Sequence, residues 1–157
     1  MGRSRCGFGS KFHLVTDGHG TPLAVEVTAG QVHESTQAEA VMDGIAIPQR
    51  LGRPRKRPKR LASDKAYSVK GIRDWLRAHG IQAVIPRKDN ESLRHDLRAA
   101  LDKDTYRRCA VVEQCVGWMK KSRRIGTRFE ELAVNFHGML QLAMIHRYLK
   151  LLFSDSA

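Results

Sequence analysis

Three side chains stand out by type and spacing. Asp64 follows a short apolar run, Arg60-Leu61-Ala62-Ser63, and precedes Lys65-Ala66-Tyr67. A carboxylate at the carboxyl end of a strand in an α/β sheet lies where ligand crevices form, and it can hold a hard divalent cation through oxygen. Glu113 sits within an apolar-periodic helix, after Val111-Val112 and before Cys115-Val116. Lys120, seven residues on, is close to two turns away and shares its face. Arg124 and Arg128 continue that side into a basic connector. A carboxylate backed by cations suits metal binding beside a phosphate. Each feature also has a plainer reading, an Asp in a strand-to-helix turn and a charged helix face in water. Spacing alone leaves both readings open.

The other candidates are cationic. Seven of the eleven residues from Arg50 to Arg60 are basic: Arg50, Arg53, Arg55, Lys56, Arg57, Lys59 and Arg60. Pro54 and Pro58 forbid a regular helix there, so an extended, solvated loop is expected over residues 50–60, a candidate arm for phosphate or simply exposed surface. Across 157 residues, 28 Lys+Arg oppose 16 Asp+Glu, a net charge of +12. Such a surplus points first to nucleic acid, because phosphate contacts and counterion release reward clustered cations. The seven histidines show no ligand spacing and are expected to be structural or surface groups. Cys6, Cys109 and Cys115 are an odd count without metal-type spacing, which argues against a disulfide scaffold or zinc knuckle. No apolar run is long enough for a membrane span, and Met1-Gly2-Arg3-Ser4-Arg5 opens no secretory signal. A reduced cytoplasmic domain, associated with the nucleoid, is the expectation.

The elements that would position these residues form a recognisable order. Residues 11–28 read as a β-hairpin turning at Asp17-Gly18-His19-Gly20, with Leu23, Val25 and Val27 on one face. Thr36-x-x-Glu39 has capping-box spacing and predicts a helix with Ala38, Val41 and Met42 inward. A strand at residues 60–63, a helix over 68–79 stopped by Gly80, and a strand over 81–85 ended by Pro86 imply a parallel pair with a crossover helix. The last third predicts helices over 92–101, 105–121 and 130–153. Leu132, Phe136, Leu140, Ala143 and Leu149 form the expected core stripe of the final one.

Taken in order, several stretches resemble bacterial insertion-sequence transposases, the DDE enzymes of the IS-five group. They are Gly2-Arg3-Ser4-Arg5 with Ser10-Lys11-Phe12-His13-Leu14-Val15-Thr16-Asp17; Thr28-Ala29-Gly30-Gln31-Val32-His33-Glu34-Ser35; Ala62-Ser63-Asp64-Lys65-Ala66-Tyr67; and Tyr106 through Glu113 and Lys120 to Arg123-Arg124-Ile125-Gly126-Thr127-Arg128. The resemblance spans nearly the whole chain. It implies an α/β, RNase H-like fold, a mixed sheet flanked by helices, over residues 1–157 with C-terminal helices over 104–153. It also implies two divalent ions, Mg2+ or Mn2+, held by three carboxylates, with Asp64 as the second aspartate and Glu113 as the glutamate. The family signature Tyr-x2-Arg-x3-Glu-x6-Lys falls on Tyr106, Glu113 and Lys120, while Cys109 stands at its arginine position.

The family's first aspartate lies on a strand upstream of the segment resembling Gly2-Arg3-Ser4-Arg5, and neither Asp17 nor Glu26 matches it. The expectation is therefore a sheet incomplete at its N-terminal strand and a centre lacking one of three ligands. The implied activity is metal-dependent cleavage and transfer of double-stranded DNA at element terminal repeats and target, exercised within a longer or frameshift-fused protein. Lys120, Lys121, Arg123, Arg124, Arg128 and the 50–60 cations would contact DNA, and synapsis of two ends suggests a homodimer. The competing expectation is a catalytically inactive DNA-binding fragment. A third is a structure-specific nuclease of the same fold.

Overall fold

The computed structural model describes residues 2–4, 7–87, 101–127 and 130–153, with side chains from residue 9 onward. Among these residues, two small sheets and six helices make a mixed α/β arrangement. Strands β1 (Gly2–Ser4), β2 (Gly7–Thr16) and β3 (Pro22–Ala29) form an antiparallel sheet in the order β1-β2-β3. The predicted hairpin is β2–β3, longer than expected, and β1 is an addition. Its turn is built by Asp17, whose Oδ1 accepts from the backbone N–H of His19 at 2.8 Å and of Thr21 at 2.9 Å. Gly20 takes φ 80° there, a left-handed conformation that a side chain would oppose.

The pleat gives this sheet two working faces. Phe12 and Leu14 pair with Val27 and Val25 on one face, while Val15 and Ala24 pair on the other. The second face joins a core of Val41, Met42, Ile45, Ile72, Leu76, Ile81 and Ile85. This core is supplied by α1 (Ala38–Asp43), α2 (Lys70–Ala78) and β5 (Gln82–Val84). Strand β4 (Arg60–Ala62) pairs parallel with β5, and α2 crosses between them, as the apolar spacing requires. Gly80 ends that crossover helix region at φ 66°. No backbone hydrogen bond joins the two sheets among the described residues.

The first face packs on the C-terminal helices: α4 (Ala110–Lys120), α5 (Arg123–Gly126) and α6 (Ala133–Phe153). Cys115, Met119, Ile125, Phe136 and Leu140 are buried there with Val25. Polar ties complete the contact, since the Tyr148 hydroxyl donates to the Pro22 carbonyl and His137 Nε2 lies 3.1 Å from the Val25 carbonyl.

Several expectations are corrected. The helix predicted over 105–121 is two helices, α3 (Lys103–Arg107) and α4, because tight three-residue turns replace regular helical bonds from Cys109 to Val112. Thr36 forms no capping box; it lies inside a 3-10 turn, Glu34–Gln37, and its hydroxyl donates back to the His33 carbonyl at 2.7 Å. Leu132 and Leu149 are exposed, so the core stripe of α6 ends with Phe136, Leu140 and the half-buried Ala143. The helix expected over 92–101 falls outside the described residues save Leu101, as do Cys6 and Arg128.

Candidate active site and nucleic-acid interface

Asp64 lies just past β4, with extended backbone at φ −75° and ψ 176°. Its Oδ1 accepts from the Ala66 N–H at 2.9 Å and caps a 3-10 turn, Lys65–Tyr67. The turn role and the site role thus belong to one carboxylate, with one oxygen committed to the backbone. Tyr67, at the end of this turn, is half-buried. Burial, then Glu34, then Asp64 push its phenol up to about 12, so it stays protonated beside two carboxylates. Tyr67 and Glu34 escaped the sequence reading. Both lie within the stretches that carried the resemblance, but nothing in their spacing marked the packing of their two turns.

Glu113 occupies the first turn of α4, is exposed, and sits where the helix dipole favours a negative charge. The α4 N-cap is Cys109, which is half-buried. Its thiol is pushed up chiefly by burial and then by Asp64 and Glu113. The two predicted carboxylates thus both act on the Cys109 thiol. Helix α3 is tied to β4. Its N-cap Asp102 accepts from the Thr105 N–H at 3.0 Å and pairs with Arg60 of β4 at 3.2 Å, while Arg60 also donates to Thr105 at 3.2 Å. Helix α3 thus begins beside the Arg60 end of β4. Tyr106 is on α3, so the Tyr–Glu–Lys signature is divided between two helices.

Lys120 ends α4, exposed, about 10 Å along the axis from Glu113 at the helical rise. The chain then turns sharply into α5, where a Cβ on Gly126 would stand 2.5 Å from the Lys120 carbonyl oxygen. Only a glycine permits that approach. Buried Ile125 anchors α5 and leaves Lys121, Arg123 and Arg124 exposed around Lys120. Arg124 makes a 3.4 Å ion pair with Glu130.

The 50–60 segment is irregular and largely exposed, as expected, apart from a bridge between Ile47 and Arg55. Its cations are not equivalent. Arg57 pairs with Asp43 at 2.8 Å and lies over the Trp75 ring at 5.1 Å, stapling the loop to α1 and α2. Arg60 is engaged with Asp102. Arg50, Arg53, Lys56 and Lys59 are exposed and make no ion pair among the described residues.

Several described histidines make structural contacts. His33 caps the Glu34–Gln37 turn, and buried His13 lies 2.8 Å from the Thr28 hydroxyl. Among the described residues, no three of His, Cys, Asp and Glu come together as a metal cluster. A hard divalent ion takes six or more oxygen donors. Asp64 and Glu113 alone do not fit a two-ion centre.

Residues 2–147 match the protein family described as Transposase DDE domain. A Burkholderia cepacia protein, named as a transposase for insertion sequence element IS402, is 37% identical over 131 residues, which is 83% of this chain and 57% of that protein. A Brucella ovis protein, named as a transposase for insertion sequence element IS6501, is 25% identical over 134 residues, covering 85% of this chain and 93% of that protein. The chain thus spans little more than half the length of the IS402 relative. No solved structure matches. No described helix is long and apolar enough to cross a membrane.

Proposed function

This chain belongs to the transposase DDE-domain family, and on that premise we propose that it acts in DNA transposition, cutting and joining double-stranded DNA at insertion-sequence ends within a longer assembly. The observation that carries this reading is the match of residues 2–147 to the Transposase DDE domain family, and the positions of Asp64 at the end of β4 and Glu113 in the first turn of α4 accord with it. The fold belongs with RNase H-like domains in which one further strand unites the two sheets. Three features support this: the absence of pairing between the sheets among the described residues, the unpaired outer edge of β2 beyond Gly9, and the Ser63 hydroxyl. That hydroxyl is buried beside Asp64 with no hydrogen-bond partner.

The family uses divalent cations, which activate an attacking oxygen and stabilise a leaving one in phosphoryl transfer. Among the described residues the donor set, Asp64 and Glu113, falls short of two such ions. Asp64 and Glu113 contribute carboxylate oxygens to a centre completed by a third carboxylate on the added strand. Lys120 neutralises phosphate two helical turns away, and Lys121, Arg123 and Arg124 extend that field along the DNA backbone. Arg50, Arg53, Lys56 and Lys59 supply sequence-independent affinity.

The test is strand transfer of an element-end duplex by the protein joined to the strand that supplies the third carboxylate. Asp64→Asn or Glu113→Gln should abolish joining while leaving DNA binding in place, and retained joining by either variant would sink the assignment. A second reading is a catalytically inactive DNA-binding fragment; among the described residues no third carboxylate joins Asp64 and Glu113. It predicts that the 157-residue chain binds duplex DNA with salt-dependent affinity yet neither cuts nor joins it in Mg2+ or Mn2+. Cleavage by the chain alone would refute it.

A further inference from the structure

Helix α6 carries no Asp or Glu in its 21 residues, and one side of it is apolar and open. Between the end of α4 and this helix runs a cleft of about 460 Å³, the size of pockets that hold ligands. Trp118 and buried Met119 line it from α4, Met139 and Leu142 from α6. Leu142 is 58% exposed and joins the cleft to an apolar stripe that continues through the exposed Ile145 and Leu149. On a helix of 3.6 residues per turn, that stripe lies on one flank of Leu142, and Met139 and Lys150 lie on the other. Isolated exposed leucines need no explanation, but a contiguous apolar surface does. The two methionines make the lining adaptable, since an unbranched thioether fits more than one shape.

The charges around the cleft select its occupant. Lys121, just past α4, and Lys150, on α6, both line it, so each wall supplies an exposed ammonium. Neither makes an ion pair among the described residues. Arg147 lies over the Trp118 ring at 5.3 Å and adds positive charge beside that wall. Among the described residues no Asp or Glu lines the cleft. Such a rim repels a basic partner. A phosphate backbone would use the two lysines and leave the apolar lining and the stripe bare. A small apolar anion would fill the cleft and still leave the stripe bare. An amphipathic helix with carboxylates beside its apolar face covers all three features at once. From Met139 to Lys150 the cleft follows α6 for about 16 Å, or about three turns, long enough for apolar anchors at i, i+4 and i+7.

We propose that the α4–α6 cleft, with Leu142 at its centre and Lys121 and Lys150 on its two walls, is the docking groove for an acidic amphipathic helix of a partner protein. The docking needs no DNA, so it is measured without it, and its failure leaves the transposition reading untouched. The probe is a fluorescein-labelled peptide of about five helical turns, with leucines along one face and glutamates on both flanks. Fluorescence anisotropy with the 157-residue chain should give saturable binding in the micromolar range. The same peptide with lysines in place of glutamates should bind at least about tenfold more weakly, and one with serines in place of leucines should not bind. Leu142→Gln should weaken the acidic peptide by about tenfold, keep the far-UV circular dichroism, and leave duplex DNA affinity within about twofold. Lys150→Glu should weaken it by about fivefold or more, and Lys150→Arg should not. Leu132→Gln, exposed and outside the cleft, should change nothing. No binding at sub-millimolar peptide, equal binding by the serine peptide, or full affinity in Leu142→Gln overturns the proposal. A Leu142→Gln loss that falls on DNA affinity as heavily as on peptide affinity would give the cleft to nucleic acid and overturn it too.

Discussion

At the scale of single residues, burial decides the state of several groups. His13 is buried against Thr28, and its pKa is lowered chiefly by that burial, with Lys11 adding to the effect and Glu34 and Glu26 opposing it. A histidine whose pKa falls on folding binds its proton more readily when unfolded. Its contribution is therefore full above the unfolded pKa of about 6.5 and is lost as pH falls below it. Thermal melts between about pH 7.5 and pH 5.5 should show Tm falling with acidity, and His13→Gln should flatten that slope; an equal slope in the variant would place the sensitivity elsewhere. Tyr67 offers a spectroscopic counterpart. Its phenolate absorbance should emerge near pH 12, and Tyr67→Phe should remove that phase. The strand end that carries Asp64 and the helix that carries Glu113 were legible in the sequence, because both are local properties. Tyr67 and Glu34 were not, because their proximity is made by two turns packing across more than thirty residues of chain.

Between elements, the basic loop and the α4–α5 turn carry separable roles. Arg57 is held by Asp43 and Trp75, whereas Arg53 and Lys56 are exposed and unpaired among the described residues. Arg57→Ala should lower Tm with little change in the salt dependence of DNA binding. Arg53→Ala with Lys56→Ala should do the reverse, reducing the slope of log K against log salt by about two. The two prolines announced the loop, but the staple that divides its cations depends on where α1 and α2 place Asp43 and Trp75. Gly126→Ala forces backbone against the Lys120 carbonyl and should cost about 1–3 kcal/mol, read by denaturant unfolding. The crossover unit β4-α2-β5 was readable from apolar spacing and the glycine stop. The break between α3 and α4 was not, because the residues around Cys109 carry helix-compatible propensities and the tight turns are set by docking of α3 on Arg60.

For the whole molecule, the hairpin, the parallel pair and the final helix were all visible as periodicities, while the pairing of β1 and the reach of α6 across the hairpin were not. Long-range closure is invisible to local pattern, and here it is extreme. The Tyr148 hydroxyl bonds the Pro22 carbonyl across 126 residues of sequence, and His137 meets Val25 across 112. Phe136, fully buried at that junction, is the hinge of the arrangement, and Phe136→Ala should destabilise the chain by about 3–5 kcal/mol in urea unfolding. The same closure has a consequence for biosynthesis. At about 5–20 residues per second, a ribosome needs about 6 to 25 s after making Pro22 before Tyr148 is even polymerised. During that interval the apolar face of the hairpin, Phe12, Leu14, Val25 and Val27, lacks the cover of α6 and is a natural substrate for ribosome-bound chaperones. A chain interrupted before α6 would keep that face without the cover of Phe136 and Leu140, exposed to quality-control proteolysis.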